Sequence, residues 1–289
     1  MLIAQITDLH LGFHSSGPTH PNRARLKQVL GAIAAMRPAP HLLLVTGDLV
    51  DARGGADSYR LLKGLLDEFP LPSALCIGNH DRRDLLARTF PETPITDNFV
   101  QYAIEHLPVR ILALDTAEEG RHGGNLCEAR LRWLAERLAE APERPTVIAL
   151  HHPPIATGLS WMTESPAASW VVRLGGVVGA HPNVVALLSG HLHRPLATRW
   201  AGTMLAVCPP TAAQTALDFA PLDPEQPDGR PMIVAAAPGY AIHHWNGNGL
   251  VTHFADAGAN EVIARFDAGM QPLVRRLVEE RRERGANEA

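Results

Sequence analysis

Five short apolar segments of this sequence each run directly into aspartate, asparagine or histidine, and this recurrence constrains the fold more than any other feature. A short apolar run bounded by turn residues is typical of a buried strand. Reactive side chains in open α/β sheets gather beyond the carboxyl ends of the strands, because rigid strands fix their positions while the loops stay free to vary. The sequence therefore predicts one site built from five strand ends. The runs are residues 2–7, 41–46, 75–77, 146–150 and 184–189, and the polar residues after them are Asp8, His10, Asp48, Asn79, His80, Asp81, His151, His152, His191 and His193.

The remaining pattern predicts an α/β fold in which two packed mixed β-sheets are flanked by helices, in the layer order α-β-β-α. Strands and helices alternate in the first half, but residues 99–104 and 109–114 are predicted to be neighbouring strands with no helix between them, which indicates a mixed sheet. After residue 184, short strands separated by Gly, Pro, Asn and Asp turns predominate. Helices are expected at 22–37, 57–68, 82–90, 128–140, 167–178 and 270–284, and late strands at 196–200, 203–207, 233–236, 240–245 and 250–254.

One large domain is expected, because the candidate site residues extend from Asp8 to His193 with no linker between them. Residues 1–207 are predicted to form its core. Residues 208–289 are predicted to supply an arm, strands that complete the sandwich and a terminal helix. The pattern leaves open whether this second part belongs to the same domain or is a small dimerisation extension. The segment 208–231, rich in Pro, Asp and Ala, is expected to be a long ordered loop or an arm.

Composition narrows the classes of partner. The formal net charge is −4 and the charges are interspersed, so no basic patch predicts binding to a nucleic-acid polymer. Three widely spaced cysteines, Cys76, Cys127 and Cys208, argue against a disulfide framework or a zinc ribbon and favour a reducing compartment. The sequence has no signal-peptide pattern and no apolar run of membrane-spanning length. A cytoplasmic protein without membrane association is therefore expected.

Taken singly, the candidate residues have ordinary explanations. Short Asp-containing motifs are common in turns, and Asp51 is expected to be a turn or helix N-cap residue. As a set, carboxylate, imidazole and amide oxygen without thiolate are suited to zinc, manganese or iron in a hydrolytic site. Most of the 15 histidines must nevertheless be structural or surface residues, and nine are assigned no metal role: His14, His20, His41, His106, His122, His181, His243, His244 and His253.

The order of the five blocks resembles the pattern of the calcineurin-like metallophosphoesterases. The blocks are Asp8-Leu-His10, Gly47-Asp48, Gly78-Asn-His-Asp81, His151-His-Pro153 and Gly190-His-Leu-His193, and the resemblance covers about the first 200 residues. It implies the same fold and an active site with two transition metal ions (manganese, iron or zinc) and a bridging hydroxide. One ion would be held by Asp8, His10, Asp48 and His193, and the other by Asp48, Asn79, His151 and His191.

The resemblance also implies roles for the residues beside the ligands. His80 would steady developing charge or protonate the leaving alkoxide, with Asp81 orienting it. His152 is expected to contact the metal ligands and hold them in place without binding a metal itself. Two metals and two ligating aspartates leave positive charge to meet a small phosphodiester monoanion, which metal-activated hydroxide would attack in line.

Details of the blocks favour one subgroup of this family. Asp81 stands where serine/threonine phosphoprotein phosphatases have glutamate, and His80 where lipid-A precursor hydrolases usually have arginine. The chain looks most like the bacterial class III cyclic-nucleotide phosphodiesterases and their glycerophosphodiesterase relatives. This implies hydrolysis of 3′,5′-cyclic nucleotides such as cyclic AMP, with glycerophosphodiesters as the alternative. A broad-specificity diesterase or monoesterase and a nuclease share the core chemistry, whereas a non-catalytic scaffold would be expected to have lost ligands.

Two further expectations concern the surroundings of the site. Loops 118–125 and 159–164, together with the 208–231 arm, are expected to wall the substrate pocket. Members of the subgroup often pair through elements that follow the metal-binding region, so a homodimer or higher homo-oligomer formed by segments after His193 is expected.

Overall fold

The computed structural model of the protein describes residues 1–13, 21–52 and 54–287. Residues Met1–Ala257 form one compact unit. Its strands are β1 Leu2–Ile6, β2 Leu42–Thr46, β3 Ser73–Cys76, β4 Tyr102–Ile104, β5 Arg110–Ala113, β6 Thr146–Ala149, β7 Val184–Ser189, β8 Leu196–Trp200, β9 Thr203–Val207, β10 Gln214–Thr215, β11 Ile233–Val234, β12 Gly239–Trp245 and β13 Leu250–Asp256. Its helices are α1 Pro21–Ala34, α2 Ala56–Asp67, α3 Arg83–Thr89, α4 Glu128–Glu140 and α5 Ser169–Gly179.

The long strands form two mixed sheets. The first has the order β13-β12-β1-β2-β3, in which β1, β2 and β3 are parallel and β12 pairs antiparallel with β1. The second has the order β4-β5-β6-β7-β9-β8, with β5, β6, β7 and β9 parallel between antiparallel edge strands. Parallel strands end at the same edge of their sheet, so each sheet delivers several loops to one place.

Alternation along the strands of the second sheet separates two hydrophobic cores. In β5, Ile111 and Ala113 belong to the core shared with the first sheet, whereas Leu112 packs in the core formed with α4 and α5. Successive strand side chains point to opposite faces, so one strand serves both cores. Helices α1 and α2 pack on the first sheet through residues such as Leu26 and Leu62. The predicted fold of two packed mixed sheets flanked by helices is confirmed.

The predicted strand at 99–104 begins later than expected, because residues 96–99 form a turn. Asp97 and Asn98 have φ values of 52° and 66°, and the backbones of Thr96 and Phe99 are hydrogen-bonded to each other. The ring of Phe99 lies under the guanidinium groups of Arg83 and Arg130, 5.4 Å and 4.6 Å from its centroid. Phe99 is therefore a platform for two cations rather than a strand residue, and β4 starts at Tyr102.

The part of the chain after β9 contains two further sheet strands and an arm, which is the segment between β9 and β12. Strands β12 and β13 extend the first sheet. In the arm, β10 and β11 are only two residues long and pair with each other, and Leu217, Phe219 and Ile233 are each at least half exposed. The predicted strand 233–236 is thus limited to Ile233–Val234.

Residues Gly258–Ala289 form a second compact unit. It contains α6 Gln271–Asn287, close to the terminal helix predicted at 270–284. Several of its apolar side chains are solvent-exposed, with Ile263 at 93% and Phe266 at 74%. In neither unit do the described residues include a helix of the length and apolarity needed to cross a bilayer.

Candidate metal centre

The predicted ligands follow the carboxyl ends of strands in both sheets, and five of the seven have a left-handed backbone conformation. Such a conformation is uncommon for residues other than glycine and costs about 1–3 kcal/mol for each residue. Here neighbouring loops sustain it: the carbonyl of Asp48 accepts the backbone N–H groups of Leu9 and His10 at 2.8 Å and 3.0 Å. The backbone has been bent so that side chains from separate strand ends converge. The φ values are 53° for Asp8, 43° for His10, 49° for Asp48, 71° for His191 and 51° for His193.

Glycines make this convergence possible. A Cβ on Gly78 would overlap the carboxylate of Asp48 and lie 2.6 Å from His151 Nε2. A Cβ on Gly190 would overlap the hydroxyl of Thr7 and lie 3.0 Å from Asp8 Oδ2. These glycines in the Gly-Asn-His-Asp and Gly-His-Leu-His blocks are therefore required by close approach, and larger residues would push the ligand loops apart.

Asp8, His10, Asp48 and His193 form the first ligand cluster, with ligand atoms within 4.8 Å of one another. Nε2 of His10 and Nε2 of His193 are 2.9 Å apart. Asp48 Oδ2 lies 3.4 Å from His10 Nε2, and Asp8 Oδ1 lies 3.4 Å from His193 Nε2. Nδ1 of His193 donates to the carbonyl of Ala213 at 2.7 Å, which leaves its Nε2 lone pair facing the cluster.

His151 is the clearest candidate ligand of the second cluster. Its Nδ1 donates to the carbonyl of Thr46 at 2.7 Å, so in the neutral ring Nε2 carries a lone pair. That Nε2 is buried and, among the described residues, makes no hydrogen bond, although Asp48 Oδ2 is 3.4 Å away. A buried nitrogen that faces a carboxylate in this way is suited to a metal ion. His191 stands beside it, with the two ring centroids 5.2 Å apart.

Asn79 and His152 complete this side of the centre. The Nε2 atom of His152 lies 3.2 Å from Oδ1 of Asn79, and its Nδ1 lies 2.9 Å from the hydroxyl of Thr116. Both ring nitrogens of His152 are thus engaged by protein groups, in contrast to His151. His151, His152 and His191 are close enough to hold one ion as a trio, but these contacts favour His152 as a neighbour of the ligands.

The electrostatics of the centre fit bound cations. Burial raises the pKa of Asp8 above its ordinary value. Burial lowers the pKa of His10 to about 3 and holds that of His191 well below its ordinary value, so these rings are neutral and available as ligands. Burial opposes protonation of His151 as well, but the charges of Asp48 and Asp8 and the hydrogen bond to the Thr46 carbonyl together outweigh it and raise the pKa of His151 to about 9. A metal ion would displace that proton, as metal binding to histidine does.

His80 lies outside both clusters, with 29% of its side chain exposed. Its Nδ1 accepts the backbone N–H of Ala52 at 3.2 Å, so the neutral ring carries its proton on Nε2. Oδ2 of Asp51, a buried carboxylate, is 3.7 Å from the same Nδ1. Asp51 is a turn residue, as expected, because its carbonyl accepts the backbone N–H of Gly54 at 2.6 Å. In addition, its carboxylate lies between His80 and His10.

Asp81 has a different position from the one predicted. Its carboxylate accepts backbone N–H groups from Gly78 at 2.9 Å and from Leu49 and Val50, and also the hydroxyl of Tyr59 at 3.2 Å. Burial, with the charge of Asp48, raises the pKa of Asp81 to about 7. The expectation that Asp81 orients His80 is corrected: its oxygens tie two ligand loops together, and the carboxylate beside the His80 ring is that of Asp51.

His122, which was assigned no metal role, lies against the centre. Its ring centroid is 4.7 Å from that of His191, and it lines a small cavity of about 30 Å³ with Trp161 and Glu164. The only hint in the sequence was its place in the loop expected to wall the pocket. His243 is a structural histidine, as predicted, because its nitrogens contact Gln5 Oε1 and Thr252 Oγ1 at 2.9 Å. His14 and His20 lie outside the described residues.

A larger open cavity of about 550 Å³ adjoins His80. Asn79 and His80 line it on the side of the metal centre, and Arg82 and the loop residues Glu118 and Glu119 line the remainder. Substrate groups beyond the phosphate can be accommodated here. The position of Glu118 and Glu119 agrees with the expectation that loop 118–125 walls the pocket.

Comparisons with known proteins agree with this geometry. The calcineurin-like phosphoesterase profile matches residues 1–195. The chain is similar to a probable glycerophosphodiester phosphodiesterase of Arcobacter nitrofigilis, with 30% identity over 268 residues that cover 90% of this chain and 95% of the relative. It is also similar to the 3′,5′-cyclic adenosine monophosphate phosphodiesterase of Escherichia coli, with 32% identity over 215 residues that cover 73% and 76% of the two chains.

Among solved structures, a dimetal phosphatase from Danio rerio has the same fold, with a TM-score of 0.66 at 15% identity, covering 89% of this chain and 96% of that one. The predicted resemblance is confirmed on three counts: the profile spans most of the chain, a relative aligns over nearly its whole length, and the fold is shared. The chain belongs to the calcineurin-like phosphoesterase family.

Proposed function

We propose that the protein is a phosphodiesterase that uses two transition metal ions to hydrolyse small phosphodiesters. The observation that carries the proposal is the convergence of two ligand clusters on Asp48, whose Oδ2 lies 3.4 Å from both His10 Nε2 and His151 Nε2. A carboxylate between two sets of imidazoles is suited to bridge two ions. Asp8, His10, Asp48 and His193 would hold one, and Asp48, Asn79, His151 and His191 the other. Oxygen and imidazole donors suit manganese, iron or zinc.

When bound, such ions supply a hydroxide nucleophile at neutral pH and neutralise charge on the phosphoryl oxygens. The chain's own residues provide the rest of the chemistry. The neutral ring of His80 carries its proton on Nε2, because its Nδ1 accepts the N–H of Ala52, and the residue lines the large cavity. From there it can donate a proton to a leaving alkoxide or hydrogen-bond a phosphoryl oxygen. Asp51 Oδ2 lies 3.7 Å from the same Nδ1 and places a carboxylate beside the ring.

The substrates we propose first are 3′,5′-cyclic nucleotides such as cyclic AMP. The support is the similarity to a cyclic AMP phosphodiesterase and a cavity of about 550 Å³ beside His80, within the usual range of small-molecule sites. Glycerophosphodiesters are the second candidate, because the relative named for that activity aligns with 90% of this chain. Both candidates are phosphodiesters with poor alkoxide leaving groups, so both require His80 to donate a proton to the leaving oxygen.

We also propose a reducing, cytoplasmic location and a homodimer or higher homo-oligomer. Cys76, Cys127 and Cys208 are all free thiols, which suits a reducing compartment. The exposed apolar side chains of the β10–β11 arm, among them Leu217 and Phe219, support association between chains.

An activity panel on protein loaded with manganese, iron or zinc tests the proposed function. The substrates are cyclic AMP, glycerophosphodiesters, bis-p-nitrophenyl phosphate and p-nitrophenyl phosphate. We expect turnover of the diesters to exceed that of the monoester, with cyclic AMP hydrolysed fastest among the alkyl diesters. Preferred hydrolysis of the monoester would refute a diesterase, and a preference for glycerophosphodiesters would select the second candidate.

A further inference from the structure

We infer that Thr116 and His152 form a relay that holds the side-chain amide of Asn79 with its oxygen in the position needed for metal ligation. The inference rests on the proposed dinuclear site, and it assigns a positioning role to a residue, Thr116, that no sequence block contains. Thr116 follows β5, so a sixth strand end contributes to the centre.

The first step concerns which of the two nitrogens carries the proton of the neutral His152 ring. The Thr116 hydroxyl oxygen accepts the backbone N–H of His152 at 3.2 Å and lies 2.9 Å from ring Nδ1. One lone pair of the oxygen accepts that N–H, and the inference assigns the hydroxyl hydrogen to a hydrogen bond with Nδ1. The ring then carries its proton on Nε2. Thr116 is fully buried and His152 is 1% exposed, so water does not compete for these atoms.

The second step is the choice between the two ends of the Asn79 amide. Nε2–H of His152 lies 3.2 Å from Asn79 Oδ1, and an N–H donor attracts the amide oxygen while it repels the NH₂ group. The oxygen retains a second lone pair for a metal ion. If the ring had the other tautomer, its Nε2 lone pair would attract the NH₂ group and turn the ligand oxygen away. The Thr116 hydroxyl thus selects the orientation of Asn79 through two hydrogen bonds.

The packing around His152 leaves little freedom for alternatives. A Cβ on Gly124 would lie 2.7 Å from Cβ of His152, so the loop covers the ring closely. This contact restricts rotation of the His152 side chain. This is the geometry expected of a residue that supports a ligand, and removing such a support typically lowers metal affinity about 10- to 100-fold.

The test uses Thr116→Val, which keeps the shape of the side chain and removes the hydroxyl, with Thr116→Ser as the variant that retains it. Thr146→Val is the matched control, because Thr146 is also fully buried and its hydroxyl donates to Arg144 O at the opposite end of β6. His152→Phe removes both ring nitrogens. Manganese binding to each metal-free protein is measured by isothermal titration calorimetry, and electron paramagnetic resonance distinguishes coupled pairs from single ions.

We expect Thr116→Val and His152→Phe to weaken the second manganese site about 10- to 100-fold and to leave the first site unchanged. Thr116→Ser and Thr146→Val should bind both ions like the wild type. Three results would overturn the inference. The first is an unchanged affinity of the second site in Thr116→Val. The second is loss of that site in His152→Phe but not in Thr116→Val, which would make His152 a ligand, and the third is equal weakening of both sites in Thr116→Val with a lower unfolding midpoint of the metal-free variant. A wild-type protein that binds one ion would overturn the proposed dinuclear function and this inference with it, whereas inactivity with two bound ions would concern only the function.

Discussion

Replacing His80 tests the proposed chemistry more sharply than replacing any metal ligand. His80→Ala should leave both metals bound, because the ring belongs to neither ligand cluster and its Nε2 is 4.0 Å from the nearest carboxylate oxygen of Asp48. Positioned acid-base catalysis contributes about 10²- to 10⁴-fold, which corresponds to about 3 to 5.5 kcal/mol of transition-state stabilisation. We therefore expect kcat on cyclic AMP to fall by a factor in that range.

The loss should depend on the leaving group. The ribose alkoxide of a cyclic nucleotide is a poor leaving group that needs a proton. His80, whose neutral ring carries its proton on Nε2, lines the cavity in which the leaving group would be placed. p-Nitrophenolate departs without protonation, so bis-p-nitrophenyl phosphate should lose much less activity. His106→Ala, which replaces an exposed histidine, is the control for a nonspecific effect of removing an imidazole.

Asp51→Asn extends the same test. The Asp51 carboxylate lies 3.7 Å from His80 Nδ1, so its loss should reduce cyclic AMP hydrolysis in wild-type protein and have little effect in the His80→Ala background. Residues that act as one unit show this non-additivity. Equal losses on both substrates in His80→Ala, with metal content intact, would refute the role in protonation and leave His80 as a binder of phosphoryl oxygens.

Three further outcomes are expected. Elemental analysis should find about two metal ions per chain. Asp48→Ala should reduce the metal occupancy of both sites, whereas His10→Ala should reduce that of one site. A stoichiometry of one ion per chain under metal excess would contradict the bridging role of Asp48. Burial, with a contribution from His253, lowers the pKa of His243 to about 3. As the pH falls, this histidine therefore takes up a proton in the unfolded chain before it does so in the folded chain. The free energy of unfolding should decrease by about 1.4 kcal/mol per pH unit between pH ~6.5 and ~3 because of this residue. Between pH 7.5 and 5.5, the free energy of unfolding in urea should therefore fall by about 1.4 kcal/mol more for metal-free wild type than for metal-free His243→Gln. Equal falls would show that His243 does not contribute. Light scattering should give a mass of at least twice 31.3 kDa, and Phe219→Asp should reduce the measured mass. A monomeric mass across micromolar concentrations would contradict the proposed association.

The sequence predicted the strands best where an apolar run is continuous and buried on both faces. Residues 184–189 were predicted to be a strand and are β7. The prediction was poorer where apolar residues are used for something other than burial. Phe99 packs under two guanidinium groups, and β11 consists of two exposed residues. Periodicity reports where apolar residues fall along the chain, but it does not report what covers them.

The candidate site shows the same limit. Its seven predicted ligands come together because each follows a strand end, and strand ends can be found in a sequence. Asp51 and His122 reach the site from loops, at positions where the sequence has only a common turn residue and a histidine beside two glycines. Their contacts with His80 and His191 arise from the packing of separate segments.

The adjacent histidines His151 and His152 show most clearly what a sequence leaves undetermined. Their rings are chemically identical and both are buried, yet the structure gives their Nδ1 atoms different kinds of partner. Nδ1 of His151 meets the carbonyl of Thr46, which can only accept, so the proton must be on Nδ1 and the Nε2 lone pair is left for a metal. Nδ1 of His152 meets the hydroxyl of Thr116, which can donate as well as accept. The donation that we infer places the proton on Nε2, so that the ring donates to Asn79. One carbonyl and one hydroxyl, each more than 30 residues away in the sequence, thus distinguish the proposed metal ligand from the residue that we infer positions one.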